Sequence, residues 1–149
     1  MAIYSLSYHS RNRLEDFSLD TRHGVNEILR VARSRNQSLG ITGAMMFTES
    51  RFVQVLEGDE AAVKSVFASI EADTRHSDVA ILAIGTRGSR RFASWAMAFV
   101  GETSAAQEYY SEYTQRKDFD WGKLSDGGLG QLMQRMIVCD QRSVRQATP

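Results

Sequence analysis

The sequence has few of the residues that build covalent or metal-bound scaffolds. Its 149 residues include one cysteine, Cys139, so an internal disulfide and a cysteine-based zinc site are both excluded. The three histidines, His9, His23 and His76, are scattered without the spacing of a metal site. The single proline is Pro149, so no internal prolyl isomerisation is expected. Folding must therefore depend on an apolar core, which a chain of this length can bury.

The chain also lacks an excess of one charge and lacks long apolar runs. Lys and Arg number 18, as do Asp and Glu, so the formal net charge is zero and no nucleic-acid-binding surface is indicated. The locally basic stretch 85–91 is interpreted as a solvated turn. No apolar run is long enough to span a bilayer, and the first residues lack a signal-peptide pattern. We therefore expect a cytoplasmic protein that binds neither nucleic acid nor membrane nor metal.

What the first two thirds of the chain do contain is an alternation of strand and helix patterns. Alternating or short apolar runs predict strands at 2–9, 40–47, 52–58, 79–84 and 92–100. One helix pattern starts at Asp20 or Thr21 and ends near Asn36, and a second starts at Asp59 and ends before Asp73. The order β-α-β-β-α-β-β is typical of an α+β, ferredoxin-like fold, with both helices on one face of a single sheet and one extra strand.

The C-terminal third contains two further helix patterns. The first begins at Ser104 and includes three tyrosines, and a loop rich in Gly and Asp is expected at 118–130. The second has apolar residues at helical spacing, namely Leu129, Leu132, Met133, Met136 and Ile137. These helices are expected to cover the second face of the sheet or to present a surface to a partner. We divide the chain into a core at 1–101, a helical extension at 102–142 and a frayed tail at 143–149.

Gln54 is the most informative residue. It lies in the predicted strand 52–58, where apolar β-formers on both parities indicate that both faces of the strand are covered. A buried amide needs partners, because leaving it unpaired costs about 1–3 kcal/mol. Its side chain has a donor at one corner and an acceptor at the other, and a half-turn exchanges them with little change in shape. Gln54 is therefore either a structural tie or a two-state switch, and Tyr8 on the first strand is its candidate partner.

Residue chemistry alone gives each candidate an ordinary structural interpretation as well. Tyr8 and Gln54 can simply satisfy each other in a core. Asn36 stands near a helix end, where asparagine is common. Arg75 and His76 can stabilise the C-terminal end of a helix through their positive charge. Trp95 and Met97 are common core residues of a strand. No nucleophile–base set and no phosphate-binding loop is recognisable.

Taken together, however, the motifs form a specific set. They are Tyr8-His9-Ser10, Asn36 with Gly40-Ile41-Thr42-Gly43, the run Phe52-Val53-Gln54-Val55-Leu56-Glu57-Gly58, Asp73-Thr74-Arg75-His76, and Trp95-Ala96-Met97. In this order and at these separations they resemble the BLUF family, blue-light sensors that use FAD. The resemblance covers residues 1 to about 101, and the family has the same order of strands and helices.

The resemblance implies a non-covalent FAD site between the two helices. Ile28 and Ile70 would lie on the two faces of the flavin ring, and Asn36 would bond to its pyrimidine side. Gln54 would contact the N5/O4 edge of the ring. Ser69 stands where some relatives carry a basic residue, which leaves phosphate binding to Arg35 or to Arg75. The residues implied near the ring edge or the ribityl-phosphate side are Asp73, Arg75 and His76.

The resemblance also implies a photoswitch made of Tyr8, Gln54, Trp95 and Met97. After light absorption Tyr8 would donate an electron and a proton, and the reversal of that step would leave the Gln54 amide rotated or tautomerised. Trp95 and Met97, as alternative or joint neighbours of Gln54, would pass the change along the fifth strand to the C-terminal helices. The output would be contact with a downstream signalling protein in trans or with another copy in a homo-oligomer, without enzymatic activity.

Two other functions remain compatible with the fold. In a non-photoactive ligand-binding or assembly module, Tyr8 and Gln54 would be core ties and the protein would be colourless. A small ferredoxin-like enzyme would need a clustered catalytic Arg/Asn or His pair on a loop, which the sequence does not provide.

Overall fold

The computed structural model describes residues 2–13, 21–47, 51–93, 95–100, 104–115 and 126–147. Its strands are β1 (Ile3–Asn12), β2 (Thr42–Phe47), β3 (Arg51–Gly58), β4 (His76–Arg87) and β5 (Ala98–Val100). Its helices are α1 (Thr21–Leu39), α2 (Glu60–Glu71), α3 (Ser104–Thr114) and α4 (Asp126–Ala147). The predicted order of strands and helices is confirmed.

The strands form one five-stranded sheet in the order β4-β1-β3-β2-β5. Neighbouring strands are antiparallel except β5, which runs parallel to β2. The adjacent pair β1 and β3 places Tyr8 directly opposite Gln54. Directly opposite residues in an antiparallel pair project to the same face of the sheet. The sheet order confirms the ferredoxin-like α+β fold and brings the two predicted partners together.

Each face of the sheet is covered by its own helices. Alternation along β1 sends Tyr4, Leu6 and Tyr8 to the face covered by α1 and α2. The opposite face carries Val53 and Val55 of β3 and is covered by α3 and α4. The α4 residues packed there are Leu129, Leu132, Met133, Met136 and Ile137. Each such buried Leu, Ile or Met contributes roughly 1.5–3 kcal/mol. The prediction that the C-terminal helices cover the second face is confirmed.

The predicted fifth strand, 92–100, is wrong over most of its length. Among the described residues of this range, 92–93 and 95–100, only Ala98–Val100 is a strand, and it pairs with β2. Of the described residues before it, Trp95 has a carbonyl that accepts from the backbone amide of Gly43 in β2 at 3.1 Å. Its neighbours bond to side chains instead: the amide of Phe92 donates to the Glu57 carboxylate, and the carbonyl of Ala96 accepts from the Asn36 side chain. Trp95 and Met97 therefore precede β5 and do not lie within it.

Both long helices extend beyond their predicted bounds. α1 continues past Asn36 to Leu39, and α4 begins inside the predicted loop 118–130 and stays helical to Ala147, inside the tail expected to be frayed. Glycine normally disfavours a helix by about 1 kcal/mol, which is why a loop was predicted. At Gly130 the side chain of Arg91 packs against the helix backbone, and a Cβ there would require that side chain to move.

Within the described ranges, no helix is long and apolar enough to cross a membrane. The same parts of the chain contain no group of three or more His, Cys, Asp and Glu side chains suited to a metal ion. The candidate cap Asp20 and residues 118–125 of the predicted loop lie outside the described residues.

Candidate functional site

A cleft between α1 and α2 reaches the face of the sheet that carries Tyr8 and Gln54. Ile28 of α1 and Ile70 of α2 both line it and both are half-buried. The polar side chains that line it are Tyr8, Arg35, Gln54, Ser69, Asp73, Arg75 and His76. Most of the residues that the resemblance assigned to a flavin site therefore meet in one cleft.

Tyr8 and Gln54 form a buried hydrogen bond at the sheet side of this cleft. The Tyr8 hydroxyl donates to Oε1 of Gln54, and each of the two residues is 3% exposed. Burial raises the pKa of the Tyr8 phenol well above its usual range; the Arg35 guanidinium opposes this shift and the Asp73 carboxylate reinforces it. The phenol is therefore protonated at neutral pH and acts as the donor. The amide nitrogen of Gln54 is buried with the rest of the side chain and needs a hydrogen-bond partner of its own.

That second partner is Met97. Nε2 of Gln54 donates to Sδ of Met97 at 3.4 Å, and Met97 is 1% exposed. A thioether sulfur is a weak acceptor, so this bond is weaker than the one from the phenol. Trp95 is half-buried and packs against the core on the other face of the sheet. Of the two residues predicted beside Gln54, the structure brings Met97 to it and leaves Trp95 on the α4 side.

Asn36 is fully buried but lies outside the lining of the cleft. Its Nδ2 donates to the carbonyl of Ala96 at 2.9 Å, and its Oδ1 accepts from Nε of Arg35 at 3.4 Å. It lines a neighbouring groove together with Trp95 and Met97. Arg35 does line the cleft, where burial lowers the pKa of its guanidinium, yet a guanidinium remains charged at neutral pH.

The residues after α2 form the polar end of the cleft. Asp73 binds Arg75 through a backbone N–H···Oδ1 bond of 2.9 Å and an Nη2–Oδ2 ion pair of 2.5 Å. Burial alone would raise the pKa of Asp73, but the bonds from Arg75 outweigh it and lower that pKa. Nε2 of His76 lies 2.5 Å from the Ile70 carbonyl and must donate to it, so in the neutral ring Nδ1 accepts from the Ser10 hydroxyl at 2.7 Å.

Sequence reasoning missed the role of Glu57. This carboxylate is 0% exposed, and it accepts hydrogen bonds from the backbone amides of Arg91 and Phe92 and from the hydroxyl of Thr42. Burial raises the pKa of Glu57, and the bonds from Phe92 and Thr42 oppose that rise. The available signal was an acidic residue at a strand position whose neighbours of the same parity, Val53 and Val55, are apolar.

The sequence was compared with models of known protein families. The family described as "BLUF: Sensors of blue-light using FAD" matches residues 3–98. The chain belongs to the BLUF family. It is therefore a flavin-binding, blue-light-sensing domain, and the predicted resemblance is confirmed.

Relatives of this BLUF chain include larger proteins and others of similar length. Photoactivated adenylate cyclase subunit beta from Euglena gracilis is 38% identical over 71 residues, which is 48% of this chain and 8% of that protein. The dark-state structure of BlrB, a BLUF protein, has a TM-score of 0.70 at 28% identity, covering 87% of this chain and 93% of that one. BlsA in its photo-activated state has a TM-score of 0.76 at 23% identity, covering 93% and 96%, and supports the fold alone. The chain thus spans less than a tenth of the cyclase subunit.

The chemistry of the cleft fits a flavin. A planar aromatic ring needs apolar surfaces on its faces and polar groups at its edge. Ile28 and Ile70 offer apolar surface from two different helices, and Gln54 offers a carboxamide on the sheet side. Arg35 and Arg75 add guanidinium groups, which suit a phosphate.

Proposed function

We propose that this BLUF chain binds FAD non-covalently in the cleft and that the Gln54 amide is its light-operated switch. The observation that supports the switch is the continuous chain of hydrogen bonds from the Tyr8 hydroxyl through the Gln54 carboxamide to the Met97 sulfur. One end of this chain is a strong donor and the other is a weak acceptor, so the orientation of the amide depends mainly on Tyr8.

The binding roles follow from the positions of the side chains. Ile28 and Ile70 hold the flavin ring between α1 and α2, and Arg35 takes the phosphate, because it is the cleft guanidinium without a carboxylate partner among the described residues. Arg75 is already bound to Asp73, so its contribution to phosphate binding is the smaller one. Asn36 still has one amide hydrogen beyond the one donated to Ala96, and we assign that hydrogen to the flavin; since Asn36 lies outside the lining of the cleft, this contact requires its side chain to turn toward the ring.

A bound oxidised flavin supplies the absorption of blue light and an excited state that accepts an electron. The protein's contribution is the two-state amide. In the orientation seen here Gln54 accepts from Tyr8 and donates to Met97. After a half-turn Nε2 donates to the Tyr8 oxygen and Oε1 faces the Met97 sulfur. The Tyr8 hydroxyl proton then loses the acceptor that Oε1 provided, and two acceptors meet at Met97. The switched orientation is therefore less stable and reverts in darkness.

The signal leaves the site through Met97. The next residue along the chain, Ala98, begins β5, and its side chain belongs to the core that α4 covers. A movement of Met97 therefore acts directly on the next residue, Ala98, against whose core α4 packs. We propose that a change in α4 alters binding to a separate downstream signalling protein in the cytoplasm or to another copy of this chain.

An absorption experiment tests the proposal. Purified protein should be yellow, and blue light should shift its visible band slightly to longer wavelength, with reversal in darkness. Gln54→Leu should keep the flavin and lose the shift, and Tyr8→Phe should keep the flavin and lose the photocycle. Tyr4→Phe is the matched control, since Tyr4 lies on the same face of β1 but has no bond to Gln54.

Two outcomes would contradict the proposal. A flavin-loaded protein with identical spectra before and after illumination is no photosensor, and the non-photoactive ligand-binding module would then be the better description. A Tyr8→Phe protein that photocycles normally would remove Tyr8 from the mechanism. Chromatography of the flavin released by acid separates FAD from FMN, and FMN alone would correct the cofactor assignment.

A further inference from the structure

The stretch that carries Met97, described at 91–93 and 95–97 and here called the Met97 segment, is held in place by side chains from other elements and by a backbone bond from Gly43 to the Trp95 carbonyl. It lies between β4 and β5 and carries Met97 to Gln54. The Asn36 side chain donates to its Ala96 carbonyl at 2.9 Å, and Nε of Arg33 donates to its Met97 carbonyl at 3.0 Å. These two bonds fix the end of the segment next to β5.

Glu57 holds the other end. Its Oε2 accepts from the backbone amide of Arg91 at 2.9 Å, and its Oε1 accepts from the amide of Phe92 at 2.6 Å and from the Thr42 hydroxyl at 3.0 Å. Both carboxylate oxygens are thus occupied by donors. Glu57 lies on the same strand as Gln54 but on the opposite face, because their positions differ by an odd number. One strand therefore carries both the switching amide and the anchor of its acceptor.

Arg90 completes the anchor. Its Nη1 donates to the Thr42 hydroxyl at 3.0 Å and to the backbone carbonyl of Glu57 at 3.2 Å. The start of the Met97 segment is thus bound to β2 and β3 by bonds from both backbone and side chains. Glu57 has the largest share of them.

We propose that Glu57 is a positioning residue that fixes the Met97 segment and thereby sets how long the switched orientation of Gln54 persists in darkness. This inference rests on the proposed photoswitch. Glu57 neither touches the cleft nor reacts; it acts through the position of Met97.

The expected direction follows from what faces Met97 in each orientation. In the orientation seen here the fixed sulfur accepts from Nε2 of Gln54. After the half-turn a fixed sulfur would face Oε1, another acceptor, and that unfavourable contact favours the return. A loosened segment lets Met97 move away from Oε1, which stabilises the switched orientation. Weakening the Glu57 anchor should therefore slow recovery in darkness.

The test compares Glu57→Gln with Thr42→Val and with the control Glu60→Gln, all loaded with flavin. In Glu57→Gln an NH₂ group replaces one acceptor, so a backbone amide of Arg91 or Phe92 faces a donor. We expect recovery slower by about fivefold or more, a shift of undiminished size, and faster hydrogen exchange of those two amides in the dark. Thr42→Val removes two bonds of the anchor, the one donated to Glu57 and the one accepted from Arg90. It should slow recovery by less than Glu57→Gln but by more than about twofold. Glu60 is exposed on α2 and its variant should match the wild type.

The outcomes separate this inference from the proposed function. A wild-type protein without any light-induced shift overturns both. A wild type that shifts and recovers, with a Glu57→Gln variant whose recovery stays within about twofold of it, overturns the role of Glu57 alone. If the Arg91 and Phe92 amides exchange faster but recovery is unchanged, Glu57 only stabilises the structure, and its proposed role in recovery is overturned as well. If Glu57→Gln does not fold, Thr42→Val decides by the same criterion.

Discussion

The bond between Tyr8 and Gln54 can be measured as a coupling energy, because each partner has an apolar replacement of similar shape. Tyr8→Phe leaves Oε1 of Gln54 without its donor, and Gln54→Leu leaves the Tyr8 hydroxyl without its acceptor. The double variant leaves neither group behind. Both residues are 3% exposed, so water cannot readily replace the lost partner.

The expected magnitude follows from this burial. A buried polar group that loses its partner costs about 1–3 kcal/mol, whereas replacing both partners with apolar groups is nearly neutral. Each single variant should therefore lower the free energy of unfolding by about 1–3 kcal/mol. The double variant should lose far less than the sum of the two single losses, so the coupling energy should approach that sum, about 2–6 kcal/mol, since residues in direct contact are not additive.

Urea unfolding of the four proteins in darkness gives the free energies by linear extrapolation. The flavin occupancy must be the same in all four, because bound ligand adds to apparent stability. Tyr4→Phe combined with Gln54→Leu forms a control cycle, since the Tyr4 ring lies near Lys64 and has no bond to Gln54. That cycle should be additive to within about 0.5 kcal/mol.

An additive result for Tyr8→Phe and Gln54→Leu would refute the reasoning. It would mean that the phenol and the amide do not depend on each other in the folded protein. The orientation of Gln54 would then have to be set by Met97 or by the bound ligand, and Tyr8 would lose its place as the residue that holds the switch.

Three further predictions concern the packing and the pH response. Met133→Ala should lower the free energy of unfolding by about 2–5 kcal/mol in urea, because Met133 is fully buried between α4 and the sheet; a loss below 1 kcal/mol would contradict this cover. Gly43→Ala should lower Tm strongly, because a Cβ there would overlap the Val55 carbonyl oxygen; an unchanged Tm would contradict that close approach. Burial raises the pKa of Glu57 above its ordinary 4.5, so the folded state binds that proton more tightly than the unfolded state does. The stability of the wild type relative to Glu57→Gln should therefore fall as pH rises from 4.5 through the raised pKa. A relative stability that rises over this window would contradict the prediction.

The sheet and the pairing at its centre were accessible from the sequence because strand alternation has a period of two. In β1 the alternation of Tyr4, Leu6 and Tyr8 with polar residues left little freedom in which side chains face the helix layer, whereas β3 is apolar on both parities and indicates only that both faces are covered. Once the ferredoxin-like order places these strands side by side, Tyr8 and Gln54 fall on one face, and the structure has them directly opposite each other. The buried residues of α2, Val63, Val66 and Phe67, also recur in the sequence at the spacing of one helix face.

The Met97 segment was not accessible in the same way. Its composition is that of a strand, and Trp95 and Met97 share a parity, so a local pattern predicts a continuous β5 with both residues on one face. In the structure its backbone groups bond to the side chains of Glu57 and Asn36, which are distant along the chain. Such bonds leave no periodic trace in the segment itself, so the separation of Trp95 from Met97 could come only from the three-dimensional arrangement.

The cover provided by α4 has a consequence for how this chain can be shortened. The family match stops at residue 98, yet Met46, Val53 and Val55 are shielded by residues that come after it. A fragment that ends at residue 98 would expose a contiguous apolar surface and should self-associate. We therefore expect the smallest stably folded fragment to be longer than the stretch that the family match covers. A fusion of this sensor to another protein should include α4.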